Sequence, residues 1–200
     1  MQPLIVTVLR SGGEYKPEHV LRLHRQCRQF APRTPFAVLT DVDIPNVANI
    51  RLENGWPGWW SKLEAFDLDG PIFYMDLDTS IVGDLTPILR AACEHSFIAL
   101  RNPMKNPSRF GSGLMAWGGN MRHVLQRFSL DPARNMARCT TQKLWGDQGF
   151  IGETETPDAY WQDRFPGQIL SWKVECDNAI PPDARIVYFH GKPRPWDVGM

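Results

Sequence analysis

Short apolar runs separated by turn residues organise this chain. Three of them are rich in β-branched or aromatic residues and are bounded by glycine, proline or polar residues: Pro3–Leu9, Phe36–Thr40 and Ile72–Met75. Runs of this length without polar alternation are typical of strands buried on both faces of a parallel sheet. Between the first two, apolar residues recur at helical spacing, at Val20, Leu23, Cys27 and Phe30. The pattern predicts a strand, an amphipathic helix and a second parallel strand with a right-handed crossover.

The rest of the chain predicts shorter elements of both kinds. The predicted helices cover residues 59–66, 86–93 and 121–128, and the predicted strands cover 96–100, 114–117, 171–174 and 185–189. Residues 51–58 and 130–143 are predicted to be irregular, and 145–151 to be a loop that runs into a short helix. The polar segment 101–110 is typical of a flap over a site. We therefore expect an α/β fold with a mixed, mostly parallel sheet flanked by helices, and one domain over residues 1–200.

Composition narrows the functional classes. Lysine plus arginine and aspartate plus glutamate both number 22, so no overall basic charge points to nucleic acid or an anionic membrane. The four cysteines contain no C-x-x-C pair, which favours a reducing compartment over a disulfide framework or a zinc ribbon. No leader peptide and no apolar run of membrane-spanning length are recognisable, so we expect a cytoplasmic protein. Eight tryptophans are a hint of sugar or base stacking.

Two carboxylates, Asp76 and Asp78, follow the apolar run Ile72–Met75 directly. If the strand stays extended, both side chains point to one side while Leu77 turns into the core. Ligands of open α/β sheets bind at the carboxyl ends of the strands, and carboxylates there favour Mg²⁺ or Mn²⁺. A solvated turn is the alternative that a lone D-x-D motif leaves open.

A histidine after the last predicted strand can reach the same edge if all strands share one sheet. His190 would add a nitrogen ligand to the two aspartates, a set that Mn²⁺ accepts. Gly191 allows a ligand to approach the backbone, and Lys192 supplies a mobile positive charge. A metal beside a lysine suits a diphosphate leaving group. A structural or surface role for the histidine stays open.

Several motifs occur in an order that resembles a known family. They cover residues from about 3 to 196: the opening strand with Thr7, Arg10 and Tyr15, then W-S-K-L-E-A-F, F-Y-M-D-L-D-T-S, F-G-S-G-L-M, W-G-D-Q-G-F and F-H-G-K-P-R-P-W. Together they resemble the metal-dependent glycosyltransferases of GT-A fold, in particular the family 8 group that includes glycogenin and bacterial galactosyl- and glucosyltransferases. Two positions depart from the family pattern. The tight spacing of the last motif leaves Lys192 or Arg194 as the diphosphate residue, with Lys192 predicted, and Gly111 stands where the family often has asparagine.

The resemblance implies a retaining transfer of a hexose from a UDP-sugar. It implies that Asp76, Asp78 and His190 hold Mn²⁺ or Mg²⁺. It also implies a set of donor-binding residues: Thr7, Arg10, Tyr15, Asp41, Lys62, Asp76, Leu77, Ser112, Gly113, Gly191 and Lys192. Asp147 and Gln148 would face the anomeric carbon or the acceptor, and Lys192 would stabilise the departing diphosphate, which makes these three the predicted catalytic residues. A helix cap is the alternative role for Asp147.

Two other functions remain open from the sequence. A nucleotidyltransferase would use a similar fold and a carboxylate-bound metal, with R-S-G-G-E-Y as a weak version of its phosphate loop. A non-catalytic module would bind nucleotide sugars or glycans, with tryptophans as stacking platforms. The acceptor of a transferase is equally open and could be a glycan, a lipid-linked core, a protein or a modified nucleic-acid base.

Overall fold

The computed structural model describes residues 2–102 and 110–200 as an α/β structure built on two sheets. The strands are β1 (Leu4–Leu9), β2 (Phe36–Thr40), β3 (Ala48–Arg51), β4 (Ile72–Met75), β5 (Thr79–Ile81), β6 (Phe97–Leu100), β7 (Gly111–Trp117), β8 (Ala159–Tyr160), β9 (Ile169–Ser171) and β10 (Ile186–Tyr188). The α-helices are α1 (Pro17–Phe30), α2 (Thr86–Ala92), α3 (Arg122–Ser129), α4 (Pro132–Arg138), α5 (Gly146–Thr154), α6 (Trp161–Arg164) and α7 (Trp172–Glu175). Two 3₁₀ helices cover Gly58–Asp67 and Pro195–Val198.

The larger sheet has the strand order β3-β2-β1-β4-β7-β6-β8. Only β7 runs antiparallel to its neighbours, β4 and β6, among the strand pairs of this sheet in the described residues. Every residue of β2 and of β4 is buried, which explains why these strands carry no polar alternation. The predicted α/β class with a mostly parallel sheet is confirmed.

Both faces of the large sheet are covered. On one face Ile5 belongs to a core that includes Leu23 of α1, while its neighbour Val6 belongs to a core on the other face with Trp60 and Phe128. This alternation explains how a wholly apolar strand serves two cores. In the described ranges, no helix is both long and apolar enough to cross a bilayer.

The smaller sheet corrects one sequence expectation. It has the order β5-β10-β9, so the strand that precedes His190 does not share a sheet with β4. The two sheets are joined through the turn between β4 and β5, which contains Asp76 and Asp78. A hydrogen bond from Phe189 N to Asp78 O, 3.1 Å long, links this turn to the chain just after β10. The histidine segment therefore reaches the carboxylates across a junction of two sheets, not along one edge.

Several local predictions also differ from the structure. Residues 171–174 were expected to be a strand, but the strand ends at Ser171 and the chain continues as helix α7. Helix α4 lies in a segment expected to be irregular, and strand β3 lies almost entirely in a stretch for which no element was predicted; both bury few or none of their residues. The helix expected over 59–66 is a 3₁₀ helix. Most of the expected flap, residues 103–109, lies outside the described residues.

Candidate active site

A cavity of about 730 Å³ opens at the carboxyl ends of β1 and β4. Its walls come from the loop after β1, the turn after β4, the start of β7, the start of α5 and the segment after β10. Ligand sites of small-molecule enzymes span roughly 300–1,000 Å³. The cavity therefore has room for a nucleotide-sized ligand, at the sheet edge where such folds bind them.

The D-x-D segment forms a tight turn, not the extended strand end that the sequence suggested. Thr79 N donates to Asp76 O at 3.1 Å, which closes the turn, and Leu77 is buried as expected. Arg22 of α1 fixes the backbone by donating to Leu77 O at 2.7 Å and to Thr79 O at 2.8 Å. Both carboxylates reach the cavity, and Asp78 is buried, so they are not a solvated turn.

Lys62 is the cation at the inner wall of the cavity. Its Nζ lies 2.8 Å from Asp147 Oδ2, 3.0 Å from Asp76 Oδ1 and 3.1 Å from Ser112 Oγ. Ser112 Oγ in turn donates to Asp147 Oδ2 at 2.7 Å. Burial acts to lower the pKa of Lys62, but the two carboxylates outweigh it and raise that pKa above its ordinary value. The cluster brings the predicted donor-binding lysine and the predicted catalytic aspartate into direct contact.

Arg194 is the cation at the other carboxylate. Its guanidinium is hydrogen-bonded to Asp78 Oδ2 and, on its other edge, to Glu14 Oε2 at 2.7 Å and Oε1 at 3.2 Å. Tyr15 donates its hydroxyl to Asp78 Oδ2 at 2.9 Å. The Arg194 hydrogen bond is the main cause that lowers the pKa of Glu14 to about 2. Burial, followed by the charge of Asp76, raises the pKa of Asp78 to about 6, although Arg194 opposes the shift.

Lys192 lies outside the cavity, whereas its predicted role at the diphosphate requires it to lie inside. Its Nζ pairs with Glu14 Oε1 at 3.0 Å, its side chain is 69% exposed, and it does not line the cavity. Gly191, with φ of +73°, turns the chain so that Lys192 points outward and Arg194 returns to the cavity. Of the two residues that the sequence left open for the diphosphate, the geometry favours Arg194.

The predicted metal ligands are not assembled as a set. In residues 2–102 and 110–200, no group of three or more His, Cys, Asp or Glu side chains is arranged to hold a metal ion. His190 lines the cavity, but its Nε2 is 2.8 Å from Ser171 Oγ, and burial, then Lys173, lowers its pKa. The carboxylates of Asp76 and Asp78 are each occupied by a cationic side chain. As arranged, these residues do not fit the predicted divalent ion.

The remaining predicted residues divide into two groups. One group lines the cavity: Arg10, Tyr15, Leu77, Ser112, Gly113, Gln148 and Gly191. Two others do not line it. Thr7 is fully buried in β1, and Asp41 accepts hydrogen bonds from the Ser11 backbone at 2.8 Å and the Ser11 hydroxyl at 2.7 Å. Asp41 therefore fixes the loop after β1, next to the cavity-lining Arg10.

Sequence reasoning missed one residue that contacts a carboxylate of the D-x-D pair and one that holds the cation Arg194. Tyr74 donates its hydroxyl to Asp76 Oδ1 at 2.6 Å, and Glu14 holds Arg194 from the loop after β1. Tyr74 could have been found, because residues two apart on a strand face the same side and Asp76 is two residues on. Nothing local marks Glu14, whose partner is 180 residues away in the chain.

Comparison with known proteins shows the fold. No family model matches the chain, and no curated protein matches it. Among solved structures, the glycosyltransferase GlyE of Streptococcus pneumoniae TIGR4 superposes with a TM-score of 0.72 at 14% identity over 98% of this chain. The galactosyltransferase LgtC, solved with donor and acceptor sugar analogues, gives 0.62 at 14% identity over 96% of this chain. Mouse xyloside xylosyltransferase 1 gives 0.51 at 11% identity over 94%.

The chain spans 56% of the GlyE chain, 89% of LgtC and 97% of the mouse enzyme. Identities this low carry the architecture and not the activity. The mostly parallel central sheet flanked by helices and these superpositions agree on one description. The chain has the GT-A glycosyltransferase fold.

Proposed function

We propose that this protein is a glycosyltransferase that moves a hexose from a nucleoside-diphosphate sugar, in the first place a UDP-sugar, to an acceptor hydroxyl with retention of configuration. The observation that carries the proposal is one cavity whose lining includes the D-x-D turn, the cations Arg10, Lys62 and Arg194, and the neighbouring pair Asp147 and Gln148. In a GT-A fold this is the place for a diphosphate and a sugar. The proposal concerns the described chain alone, which is shorter than GlyE.

The diphosphate is bound by the chain's own cations in this proposal. Arg194 presents a guanidinium fork at the mouth of the turn, and Lys62 presents an ammonium at its inner wall. Arg10 lines the cavity on the side of β1, where the nucleoside would lie. As the bond between the anomeric carbon and the diphosphate oxygen breaks, negative charge builds on that oxygen, and preorganised cations stabilise it.

Asp147 and Gln148 take the sugar side of the site. They begin helix α5 beside Ser112 and Gly113 of β7, and both line the cavity. Asp147 Oδ2 accepts from Ser112 Oγ and from Lys62, so its carboxylate is held in one orientation. Lys62 contacts both Asp147, on the sugar side, and Asp76, on the diphosphate side. The ammonium therefore links the two sides of the proposed donor site. The acceptor oxygen would form its bond to the anomeric carbon on this side, while its proton passes to the departing diphosphate.

Mn²⁺ or Mg²⁺ dependence stays a prediction of the sequence. Its ligands would be Asp76, Asp78 and His190. In the present arrangement these three residues instead contact Lys62, Arg194 and Ser171, respectively. The steps above therefore pass through side chains only. Measuring UDP affinity with and without Mn²⁺ tests the predicted metal dependence directly.

The test is a panel of nucleotides and nucleotide sugars in thermal unfolding, followed by product analysis. A UDP-sugar should raise the melting temperature, as any ligand of the native state does. Incubation should release UDP and no pyrophosphate. Pyrophosphate release from a nucleoside triphosphate and a sugar 1-phosphate would instead identify a nucleotidyltransferase, and binding without turnover over a broad acceptor panel would identify a binding module.

A matched pair of variants places the activity in the cavity. Asp147→Asn should lose most UDP release, because it removes the charge that orients Lys62 while keeping the side-chain shape. Asp67→Asn, at an exposed aspartate outside the cavity, should keep it. Equal activity of the two variants would contradict the assignment of the site.

A further inference from the structure

Two exposed tryptophans stand at the cavity, and the proposed donor site does not use them. Of the eight tryptophans, all of which lie in the described residues, only Trp59 and Trp145 are exposed, at 55% and 51%. Both line the cavity. Tryptophan side chains are highly buried on average, so two that remain exposed to water at one cavity are a feature that needs an explanation.

Their surroundings place the two rings next to the sugar side of the site. Trp145 directly precedes Gly146 and Asp147 at the start of α5. Trp59 comes from the 3₁₀ helix that also carries Lys62, and its indole packs on Gly146. The tryptophan pair is therefore next to Asp147 and Gln148, the two residues proposed to face the sugar.

Gly146 holds this arrangement in place. Its φ of +58° is a conformation that other residues adopt with strain, and a Cβ there would lie 3.1 Å from Trp59 Nε1 and 3.5 Å from Trp59 Cε2. The absence of a side chain thus lets the indole lie against the backbone just before Asp147. One part of the Trp59 indole therefore packs against Gly146 while the rest remains exposed to solvent, where a ligand could stack on it.

We propose that Trp59 and Trp145 form the acceptor subsite and that the acceptor ends in a neutral hexopyranose. This deepens the proposed function and rests on it. The apolar C–H face of a pyranose stacks on indole, and its hydroxyls can bond to the neighbouring Asp147 and Gln148. Among the described residues, the cations that line the cavity are Arg10, Lys62 and Arg194. Of these, only Lys62 belongs to a segment that carries one of the two tryptophans, and its ammonium is already paired with Asp76 and Asp147. Among the described residues that line the cavity, no cation beside the tryptophan pair is therefore left to pair with an anionic acceptor such as a nucleic acid.

The experiment measures binding of methyl α- and β-hexopyranosides to the whole chain by saturation-transfer NMR and calorimetry, with and without UDP. The ring protons on one face of the sugar should receive the strongest saturation. Trp59→Ala and Trp145→Ala should each weaken binding by about tenfold, the scale of a lost aromatic contact. Trp59→Phe should recover most of the loss, because it restores an aromatic face. The control Leu130→Ala, at a residue that is 85% exposed and outside the cavity, should bind like the wild type.

Three results would overturn the inference: no saturation transfer from any pyranoside, equal binding by both tryptophan variants and the wild type, or tighter tryptophan-dependent binding of a short oligonucleotide. The donor proposal is tested separately by the UDP-induced rise in melting temperature. If UDP stabilises the protein and no pyranoside binds, the acceptor inference fails alone. If pyranosides bind through the tryptophans and UDP does not bind, the two rings are a pyranose-binding site, and its role as an acceptor subsite fails together with the donor proposal.

Discussion

Replacement of Arg194 is the sharpest test of the donor site, because the neighbouring Lys192 supplies a matched control. The two residues lie two positions apart in the chain, but of the two only Arg194 lines the cavity. We compare Arg194→Ala with Lys192→Ala, and we measure UDP affinity by calorimetry and stability by urea unfolding.

The magnitude follows from the contacts of the guanidinium. A hydrogen bond to a charged group contributes roughly 1.5–3 kcal/mol, and 1.4 kcal/mol is about tenfold in affinity. If Arg194 donates one such bond to the diphosphate, Arg194→Ala should weaken UDP binding by roughly 10- to 100-fold. Lys192→Ala should change it by less than about twofold, since an exposed lysine outside the site contributes little.

Stability separates the two variants as well. Loss of Arg194 leaves the buried Asp78 without its cation, and breaking a buried pair in this way costs about 3–5 kcal/mol. We expect the lower end of that range, because Tyr15 still donates to Asp78 Oδ2 and a raised pKa near 6 lets the carboxyl take up a proton. Arg194→Lys, which retains charge but not the fork, should recover part of the stability and little of the UDP affinity.

The reasoning fails if Arg194→Ala binds UDP as the wild type does while remaining folded. It also fails if Lys192→Ala loses more affinity than Arg194→Ala, which would return the diphosphate to the residue that the sequence favoured. Far-UV circular dichroism of each variant at the calorimetry temperature excludes unfolding as the cause.

Three further substitutions test other parts of the structure. Lys62→Met leaves two carboxylates without a cation and should lower the free energy of unfolding by about 3 kcal/mol or more; a loss under about 1 kcal/mol would contradict the ion cluster. Gly149→Ala should cost about 1–3 kcal/mol because its Cβ would lie 2.8 Å from the Leu144 backbone carbon, whereas Gly119→Ala, with nothing within 4 Å, should change stability by less than about 0.5 kcal/mol. His19 has a pKa lowered chiefly by burial, and its Nδ1 accepts a backbone N–H at 3.0 Å. Its stabilising contribution is therefore present above its unfolded pKa and lost as pH falls, so the melting temperature should drop by roughly 2 °C more between pH 7.5 and 5 in the wild type than in His19→Gln.

The elements that the sequence predicted well are those whose buried positions produce a clear pattern of apolar residues. Strand β2 has the predicted bounds because every one of its residues is buried, and helix α1 contains the four predicted apolar positions, of which Val20, Leu23 and Cys27 are buried on one face. Strand β3 was missed because it lies at the edge of the sheet, mostly exposed, so burial selects no pattern there. Helix α4 buries no residue at all and left no apolar stripe to recognise.

The site could be predicted in part, and the limit is sequence separation. The D-x-D pair, Lys62 and Asp147 were recognised by motif and do line one cavity. The choice between Lys192 and Arg194 depended on which way the chain turns at Gly191, a property of the backbone in three dimensions. The pairing of Arg194 with Asp78 joins residues 116 positions apart, which no local pattern encodes.

The charge balance at the inner wall explains why Lys62 alone is a weak counter-ion for a diphosphate. One ammonium is shared by Asp76 and Asp147, so these three groups carry a net negative charge when both carboxylates are ionised. An incoming diphosphate would be repelled by that charge unless another positive group lies between them. Arg194 is placed to supply it, but only if it exchanges its bond to Asp78 for bonds to the phosphates. UDP affinity should therefore depend on how easily Arg194 leaves Asp78, and Asp78→Asn, which weakens that bond, should strengthen metal-free UDP binding; weaker metal-free binding in this variant would refute the exchange.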